Sequence, residues 1–310
     1  MNNHQRIIVT AIVAVMGTVM AFAQQIALVK KNGTTTVCQT LKQALDEAGN
    51  GSVIYLPGGG FQIHDSVKIE KKVSIVGIGY KPKSENADGN TVISGNLFFN
   101  AGSSGSSVMG CYISGTVYVG NDGAAVHNVV VKYCNLGAMS VRGGACTGTV
   151  VNQCYVRNSS SFGGAAAIFT NNVAASVSSL TGGKVSNNVF TGSSSFTSCS
   201  ISRNIFLNGQ NTDNNISSGN INAGQAPVNI GELTWNDLFA NYNNGAITPA
   251  SDFQIKEEYR QLCNGCGIYG GTGFQKNGQP PMPFFEAKSI PGQTDANENL
   301  VIKVRVKSGE

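Results

Sequence analysis

Small residues recur along the middle of the chain, and apolar residues flank each of them at fixed offsets. Six of these positions, called the ladder below, are separated by 23, 20, 18, 16 and 16 residues: Cys111, Cys134, Cys154, Asn172, Asn188 and Asn204. An apolar residue stands three places before each ladder residue, and an apolar or small one stands two places after it. A recurring unit of this size, built on alternation, is typical of one coil of a solenoid. A sandwich of loose β-hairpins would not explain why one position is Cys or Asn six times in succession.

The positions next to the ladder separate an inside from an outside. The residues one and two places before each ladder residue are mostly polar, whereas those three back and two forward are apolar. Asn at the later ladder positions fits a tight turn, because Asn tolerates left-handed backbone and its side chain can hydrogen-bond along the stack. The three ladder cysteines would lie on adjacent rungs about 4.8 Å apart with their side chains parallel. We therefore expect buried free thiols there rather than disulfides.

The first 23 residues have a different character from the rest. A short polar stretch with one positive charge precedes the apolar run 7–20, and Ala21-Phe22-Ala23 resembles a signal-peptidase cleavage site. The apolar run is shorter than the roughly 20 residues that span a bilayer. The sequence thus predicts a signal peptide over 1–23 and export to the periplasm, the cell surface or the medium. It predicts no transmembrane segment in the mature chain.

The segment 24–90 is expected to form an N-terminal cap and the first coils. Apolar residues within Thr36 to Ala48 fall on one helical face and predict a short amphipathic helix that closes the apolar end of the stack. The runs 52–56, 67–69 and 73–77 read as strands, with a turn over 57–61. The central coils then occupy 91–231.

The segment 232–310 breaks the pattern and is expected to be irregular. Residues 233–239 could make a short helix, 280–283 are a stiff Pro-rich stretch, and 300–307 alternate as a half-exposed edge strand would. Cys263 and Cys266 lack the second ligand pair of a zinc site, so either a local disulfide or two unpaired thiols is expected.

The order of these elements resembles a known family. The amphipathic helix, the strands Val53-Ile54-Tyr55-Leu56 and Val73-Ser74-Ile75-Val76, and coils such as Asn187-Asn188-Val189-Phe190 are similar to secreted proteins of the pectate-lyase-like superfamily. The resemblance implies an all-β, right-handed parallel β-helix with a short N-terminal capping helix. It does not imply one function, because the superfamily includes lyases, glycoside hydrolases and adhesins.

The residues of the central coils argue against the superfamily's carboxylate chemistry. Asp122 and Asp213 are the only acidic residues between 91 and 231, and they lie far apart in sequence. A glycoside hydrolase needs two carboxyl groups beside the scissile bond, and a calcium-dependent lyase needs a cluster of them. The sequence therefore predicts no metal site and no cofactor.

Two functions stay open on the cationic and aromatic residues. A metal-free lyase would need a base and a cation, for which Lys132, Tyr155 and Arg157 are the candidates. A non-catalytic glycan-binding or adhesion module would use the mild positive charge of the coils and the tyrosines available for stacking on sugar rings, which are Tyr112, Tyr118, Tyr133 and Tyr155. Its candidate binding residues are Lys132, Tyr133, Arg142, Tyr155, Arg157, Lys184 and Arg203. We favour the binding module, with a polysaccharide or cell-surface glycan as partner. The net charge of +4 gives no indication of nucleic-acid binding, and the sequence leaves the oligomeric state open.

Overall fold

Short strands make up most of the structure, a computed structural model. It describes residues 25–63, 67–81, 89–143, 145–210, 215–223, 228–242, 247, 251–281, 284–289 and 303–307, so the predicted signal peptide lies outside the described residues. The N-terminal elements are β1 (Ile26–Val29), β2 (Thr35–Cys38) and helix α1 (Leu41–Glu47). The coil strands are β3 (Ser52–Tyr55), β4 (Gly59–Gln62), β5 (Val67–Ile69), β6 (Val73–Val76), β7 (Thr91–Ser94), β8 (Leu97–Phe99), β9 (Ser107–Met109), β10 (Tyr112–Val119), β11 (Val130–Lys132), β12 (Asn135–Val141), β13 (Thr149–Asn152), β14 (Tyr155–Val156), β15 (Ser160–Ser161), β16 (Ala167–Thr170), β17 (Val173–Ala174), β18 (Val177–Ser178), β19 (Leu180–Thr181), β20 (Lys184–Ser186), β21 (Val189–Phe190), β22 (Phe196–Thr197), β23 (Ser200–Ser202), β24 (Ile205–Gln210), β25 (Ile216–Ser218) and β26 (Ile221–Ala223). The C-terminal elements are α2 (Trp235–Leu238), β27 (Phe239–Asn241), β28 (Asp252–Ile255), a 3-10 helix (Glu257–Leu262), β29 (Phe284–Ser289) and β30 (Lys303–Lys307).

The coil strands stack into a parallel β-helix, which confirms the predicted fold class. The first sheet runs β2-β1-β3-β6-β9-β11-β13-β16-β20-β23-β25, and all its pairs from β3 onward are parallel. The second sheet runs β4-β7-β10-β12-β14-β17-β21-β24-β26 and is also parallel. Parallel strands β5 and β8, the later halves of β10 and β12, and then β15 and β18 form a third side. Each coil therefore contributes one strand to each of the first two sheets.

The apolar positions that flank the ladder line the interior, as predicted. Those three places back (Val108, Val131, Val151, Phe169, Val185 and Ile201) and two places forward (Ile113, Leu136, Val156, Ala174, Phe190 and Phe206) have no solvent exposure. Because the register of neighbouring coils is kept, like side chains stack. The rings of Phe190 and Phe206 lie 4.9 Å apart, an arrangement that adds about 0.5–1.5 kcal/mol beyond the burial of their area.

The N-terminal cap is part strand and part helix, which corrects the predicted helix over Thr36 to Ala48. The segment Thr35–Cys38 pairs antiparallel with β1, and Val37 is exposed rather than on an inner helical face. The helix starts only after Thr40, whose hydroxyl accepts a hydrogen bond from the Gln43 amide as an N-cap. Leu41, Ala44 and Leu45 then pack onto the end of the core. The predicted turn over 57–61 also proves shorter, because β4 starts at Gly59.

The ladder positions form a buried hydrogen-bonded stack. The side-chain Nδ2 of Asn172 donates to Oδ1 of Asn188 (3.1 Å), and the same bond repeats from Asn188 to Asn204 (2.9 Å) and from Asn204 to Asn220 (3.0 Å). Each of these oxygens also accepts the backbone N–H of the preceding ladder residue, and the Asn172 Oδ1 accepts that of Cys154. The predicted hydrogen bonding along the stack is thus confirmed, and the ladder extends one further 16-residue step.

The prediction of left-handed backbone at the ladder residues was wrong by one place. Positive φ values occur at the residue just before each of the six: Gly110, Tyr133, Gln153, Asn171, Asn187 and Arg203. This residue turns the chain from the first sheet to the second, so the ladder residue that follows can direct its side chain inward. Glycine is not required at the turn, because residues with side chains adopt it in five of the six coils.

The ladder cysteines are free, buried thiols, and two of them lie close to the same carbonyl position of the previous coil as the ladder asparagines do. The Cys134 sulfur lies 3.1 Å from the Lys132 carbonyl oxygen of its own coil and 3.8 Å from the Val108 carbonyl oxygen of the previous coil. The Cys154 sulfur lies 3.3 Å from Asn152 O and 3.6 Å from Val131 O. The Val108 and Val131 oxygens correspond to the Val151 oxygen that receives the Asn172 side-chain amide. Burial raises the pKa of the Cys154 thiol well above its usual value, so it stays protonated. Cys263 and Cys266 are joined by a disulfide, one of the two expected alternatives.

The C-terminal region lies along the β-helix rather than only beyond its last coil. Residues 263–280, called the strap below, follow the left-handed corner from late coils to early ones. Their contacts, from late to early coils, are Gly267 N to Arg203 O (2.9 Å), Asn171 Nδ2 to Ile268 O (2.9 Å) and to Gly270 O (2.6 Å), Gln275 N to Gln153 Oε1 (2.7 Å) and Tyr80 N to Asn277 O (3.2 Å). Side chains from α2, β27 and β28 cover the outer face of the second sheet and form a second apolar cluster with it. Among the described helices, none is long and apolar enough to cross a membrane.

Candidate functional site

The three candidates for lyase chemistry lie on different parts of the β-helix. Lys132 is half-buried on the outer face of the first sheet, in register with Met109 and Asn152. Tyr155 lies on the second sheet beneath the C-terminal region, only 5% exposed. The strap covers the corner between the two sheets. A base and a cation drawn from this pair would therefore be separated by a packed segment of chain.

Tyr155 is a core residue of the second apolar cluster. Its ring meets Tyr80 and Phe274 edge-on, at centroid distances of 5.9 and 5.2 Å. Burial, followed by the neighbouring Tyr269, raises the pKa of the Tyr155 phenol well above its ordinary value. This environment holds the hydroxyl protonated and away from solvent, and is suited to packing.

Arg157 joins three consecutive coils. Its guanidinium lies over the Tyr112 ring (4.4 Å), donates to the carbonyls of Ile113 and Ser114 (3.0 Å each) and bonds the side chain of Asn135. Partial burial lowers the pKa of this guanidinium, although an arginine side chain stays charged throughout the physiological pH range. With several of its donors engaged, Arg157 has less capacity left for a ligand.

The remaining binding candidates are spread around the coil. Tyr133 occupies the left-handed corner, and the strap passes close to it: a Cβ added to Gly278 would lie 2.6 Å from the Tyr133 carbonyl oxygen. Lys184 projects from the first sheet, in register with Ile168. Arg203 is exposed at a later corner. The structure thus distributes the seven residues over several surfaces, and Arg142 lies beside a pair of partly exposed aromatic rings.

That group lies on the third side. Strand register aligns Lys68 with Phe98 and Phe98 with Tyr118, and continues through Ser140 and Ser161 to Ser178. These six residues are called the outer column below. The rings of Phe98 and Tyr118 are stacked, 4.6 Å apart and 9° from parallel. The Arg142 guanidinium lies 5.5 Å from the Tyr118 ring.

The outer column is partly solvent-exposed and cationic at one end. Lys68, Arg142 and Ser161 are exposed, whereas the two rings are half-buried. Asp122 lies on the same side, and the pKa of its carboxyl is lowered mainly by the hydrogen bond from the Ala101 amide, with a smaller contribution from Lys68. A stacked pair of aromatic rings, flanked by two cations and followed by hydroxyls, presents apolar ring edges against which a sugar ring can pack, and the cations can attract carboxylates.

Sequence reasoning named Tyr118 and Arg142 but missed Lys68 and Phe98. The ladder alignment starts at Cys111, so strands before it could not be placed in register from the sequence. A signal was nevertheless present in the sequence, because Phe98 and Tyr118 are 20 residues apart, as are Cys134 and Cys154. That spacing would have placed the two rings on neighbouring coils.

Within the described ranges, no three His, Cys, Asp or Glu side chains are grouped so that they could hold a metal ion. Comparison with models of protein families, with curated proteins and with solved structures finds no match to this chain. The geometry of the molecule itself therefore carries any statement about its function.

Proposed function

We propose that this protein is an exported or cell-surface β-helix module that binds an acidic polysaccharide along the outer column without cleaving it. The observation that carries the proposal is the stacked pair Phe98 and Tyr118 with the Arg142 guanidinium over it. We also propose that the protein belongs to the pectate-lyase-like superfamily, which its sequence resembles, and that a signal peptide is cleaved from it.

The dimensions of the column suit an extended sugar chain. Neighbouring rungs of a β-sheet lie about 4.8 Å apart, so its six positions cover about 24 Å. An extended polysaccharide advances by a similar distance for each pyranose ring. Consecutive rings could then meet Phe98, Tyr118 and the serines in turn.

The chemistry of the column selects an acidic chain. The apolar face of a pyranose can pack against the outer edges of the two stacked rings, and Lys68 and Arg142 can each pair with a uronate carboxylate. Exposed ion pairs are weak and are screened by salt. Binding should therefore rest on the two rings and gain selectivity from the cations.

A polysaccharide lyase or glycoside hydrolase is the alternative function. Tyr155 is buried and Arg157 is engaged with backbone carbonyls, so neither supports it. A lyase predicts unsaturated products from uronic-acid polysaccharides, detected by ultraviolet absorbance, and a hydrolase predicts saturated products with new reducing ends. Either activity should be lost in Lys132→Ala or Arg157→Ala.

Titration calorimetry with oligogalacturonate and a neutral galactan tests the binding proposal. Tyr118→Ala should weaken oligogalacturonate binding about tenfold, equivalent to about 1.4 kcal/mol. Arg142→Gln should weaken it less and flatten its salt dependence. Matched controls on the first sheet are Tyr55→Ala, which removes an exposed tyrosine, and Lys184→Gln, which removes an exposed cation.

Equal losses in Tyr118→Ala and Tyr55→Ala would contradict the assignment of the site. Equal affinity for the acidic and neutral polymers would contradict the role of the cations. Turnover of the polymer by the purified protein would replace the binding module with the enzymatic alternative.

A further inference from the structure

The single tryptophan of the chain lines a cleft at the late end of the β-helix, away from the outer column. The cleft has a volume of about 590 Å³, within the range of small-molecule sites. Its described lining consists of coil residues Leu207 and Asn222 and C-terminal residues Val228, Asn229, Ile230, Leu233, Thr234 and Trp235. The C-terminal region thus forms a concave surface against the last coils.

Local hydrogen bonds and packing fix the position of Trp235. Thr234 and Asp237 form a capping box, in which the Thr234 hydroxyl accepts from the Asp237 amide and the Asp237 carboxylate accepts from the Thr234 amide (2.9 Å). The Trp235 ring also stacks on Phe239, which is only 1% exposed, at a centroid distance of 6.2 Å. The indole is half-exposed on a supported backbone, so a ligand would not have to order it.

The cleft combines an apolar surface with two amide side chains. Asn222 donates its Nδ2 to the Phe206 carbonyl (2.9 Å), which orients its Oδ1 as the remaining acceptor. Asn229 accepts the Gly231 amide at its Oδ1 (2.8 Å), which leaves its NH₂ group as the donor. Both residues are exposed, so these groups can reach a ligand. One acceptor and one donor beside an indole can satisfy the hydroxyls and the apolar face of a sugar ring.

The charge of the lining separates this site from the outer column. Its described residues carry no formal charge, whereas the outer column has Lys68 and Arg142 beside its rings. A carboxylate entering the cleft would lose hydration without gaining a cationic partner. A neutral ring would lose less.

We propose that the cleft at Trp235 is a second glycan site, which binds a neutral sugar ring independently of the outer column. The proposal does not rest on acidic polysaccharide binding elsewhere. An aliphatic ligand fits less well, because exposed Asn222, Asn229 and Thr234 interrupt the apolar lining and keep it open to water.

Because Trp235 is the only tryptophan of the chain, its emission, excited at a wavelength that tyrosine does not absorb, reports on this site. The full mature chain is titrated with cellohexaose, mannohexaose and xylohexaose, and separately with oligogalacturonate and decanoate. We expect a saturable change in emission with at least one neutral hexasaccharide. Oligogalacturonate should leave the emission unchanged even where calorimetry shows that it binds.

Variants examined by calorimetry identify the residues responsible. Trp235→Ala should weaken the neutral sugar at least tenfold, whereas Trp235→Phe, which keeps an aromatic face, should weaken it only a few-fold. Asn229→Ala should also weaken it, and Tyr118→Ala in the outer column should leave it unchanged. Circular dichroism and thermal melting verify that each variant is folded.

The absence of an emission change with all three neutral hexasaccharides into the millimolar range would overturn the proposal. A saturable response to decanoate alone would also overturn it and identify an apolar-ligand site. Neither result bears on calorimetric binding at the outer column, so the two sites can fail separately.

Discussion

Removing one amide from the buried ladder should cost a large part of the stability of the fold. Asn188 has no solvent exposure and makes four side-chain hydrogen bonds. Its Oδ1 accepts from the backbone N–H (2.9 Å) and the side chain (3.1 Å) of Asn172, and its Nδ2 donates to Phe169 O (2.8 Å) and Asn204 Oδ1 (2.9 Å). In Asn188→Ala all four are lost.

The expected magnitude follows from which partners remain satisfied. The Asn172 side chain still bonds the Val151 carbonyl, but the Asn172 backbone N–H loses the acceptor that its ladder neighbour supplied. A buried donor without a partner costs about 1–3 kcal/mol, and each other lost bond about 0.5–1.5 kcal/mol. We therefore expect Asn188→Ala to lower the free energy of unfolding by about 2.5–7.5 kcal/mol, out of the about 5–15 kcal/mol typical of folded domains.

Urea denaturation followed by circular dichroism measures this loss. Asn208→Ala is the matched control, because Asn208 is exposed and donates one hydrogen bond to the Thr191 carbonyl (2.9 Å); it should cost about 0.5 kcal/mol. Asn188→Cys should be milder than Asn188→Ala, since Cys154 shows that a thiol at this position can reach the carbonyl of the previous coil. If Asn188→Ala and Asn208→Ala cost the same, the ladder does not stabilise the fold and the reasoning is refuted.

Three further predictions concern the strap, the thiols and α2. Asn171→Ala should remove two bonds to strap carbonyls and speed hydrogen exchange across 263–275 at least tenfold; unchanged exchange would mean that these two bonds do not hold the strap in place. The six free cysteines are buried, and burial raises the pKa of Cys111 and Cys154, so they should not react with a thiol reagent in the folded protein. All six should react in urea. Rapid reaction of Cys111 and Cys154 before unfolding would contradict the buried stack. Hydrogen bonds from Thr234 lower the pKa of Asp237. Their stabilisation of α2 is therefore present above the ordinary Asp pKa of 3.8 and is lost as the pH falls through the lowered pKa. The emission of Trp235 should shift only in that acidic range, and a shift near neutral pH would contradict this assignment.

The site was less predictable than the fold. Tyr155 and Arg157 follow the same ladder residue in sequence, yet one is sealed beneath the C-terminal region and the other joins three coils. Tyrosine and arginine serve equally well in packing and in binding, so residue type did not separate these roles. Trp235 gave no repeat signal at all, because its cleft forms only where the C-terminal region meets the last coils.

The sequence by itself determined the coil. Side chains alternate along a strand and neighbouring coils keep register, so regular spacing of Cys, Asn and their apolar neighbours is enough to specify an interior. Only the tertiary structure decided which outer positions stay accessible. The path of residues 263–280 depends on contacts between segments about 100 to 200 residues apart, such as Asn171 with Gly270 and Tyr80 with Asn277. No local pattern encodes those contacts, and they leave Phe98 and Tyr118 accessible while burying Tyr155.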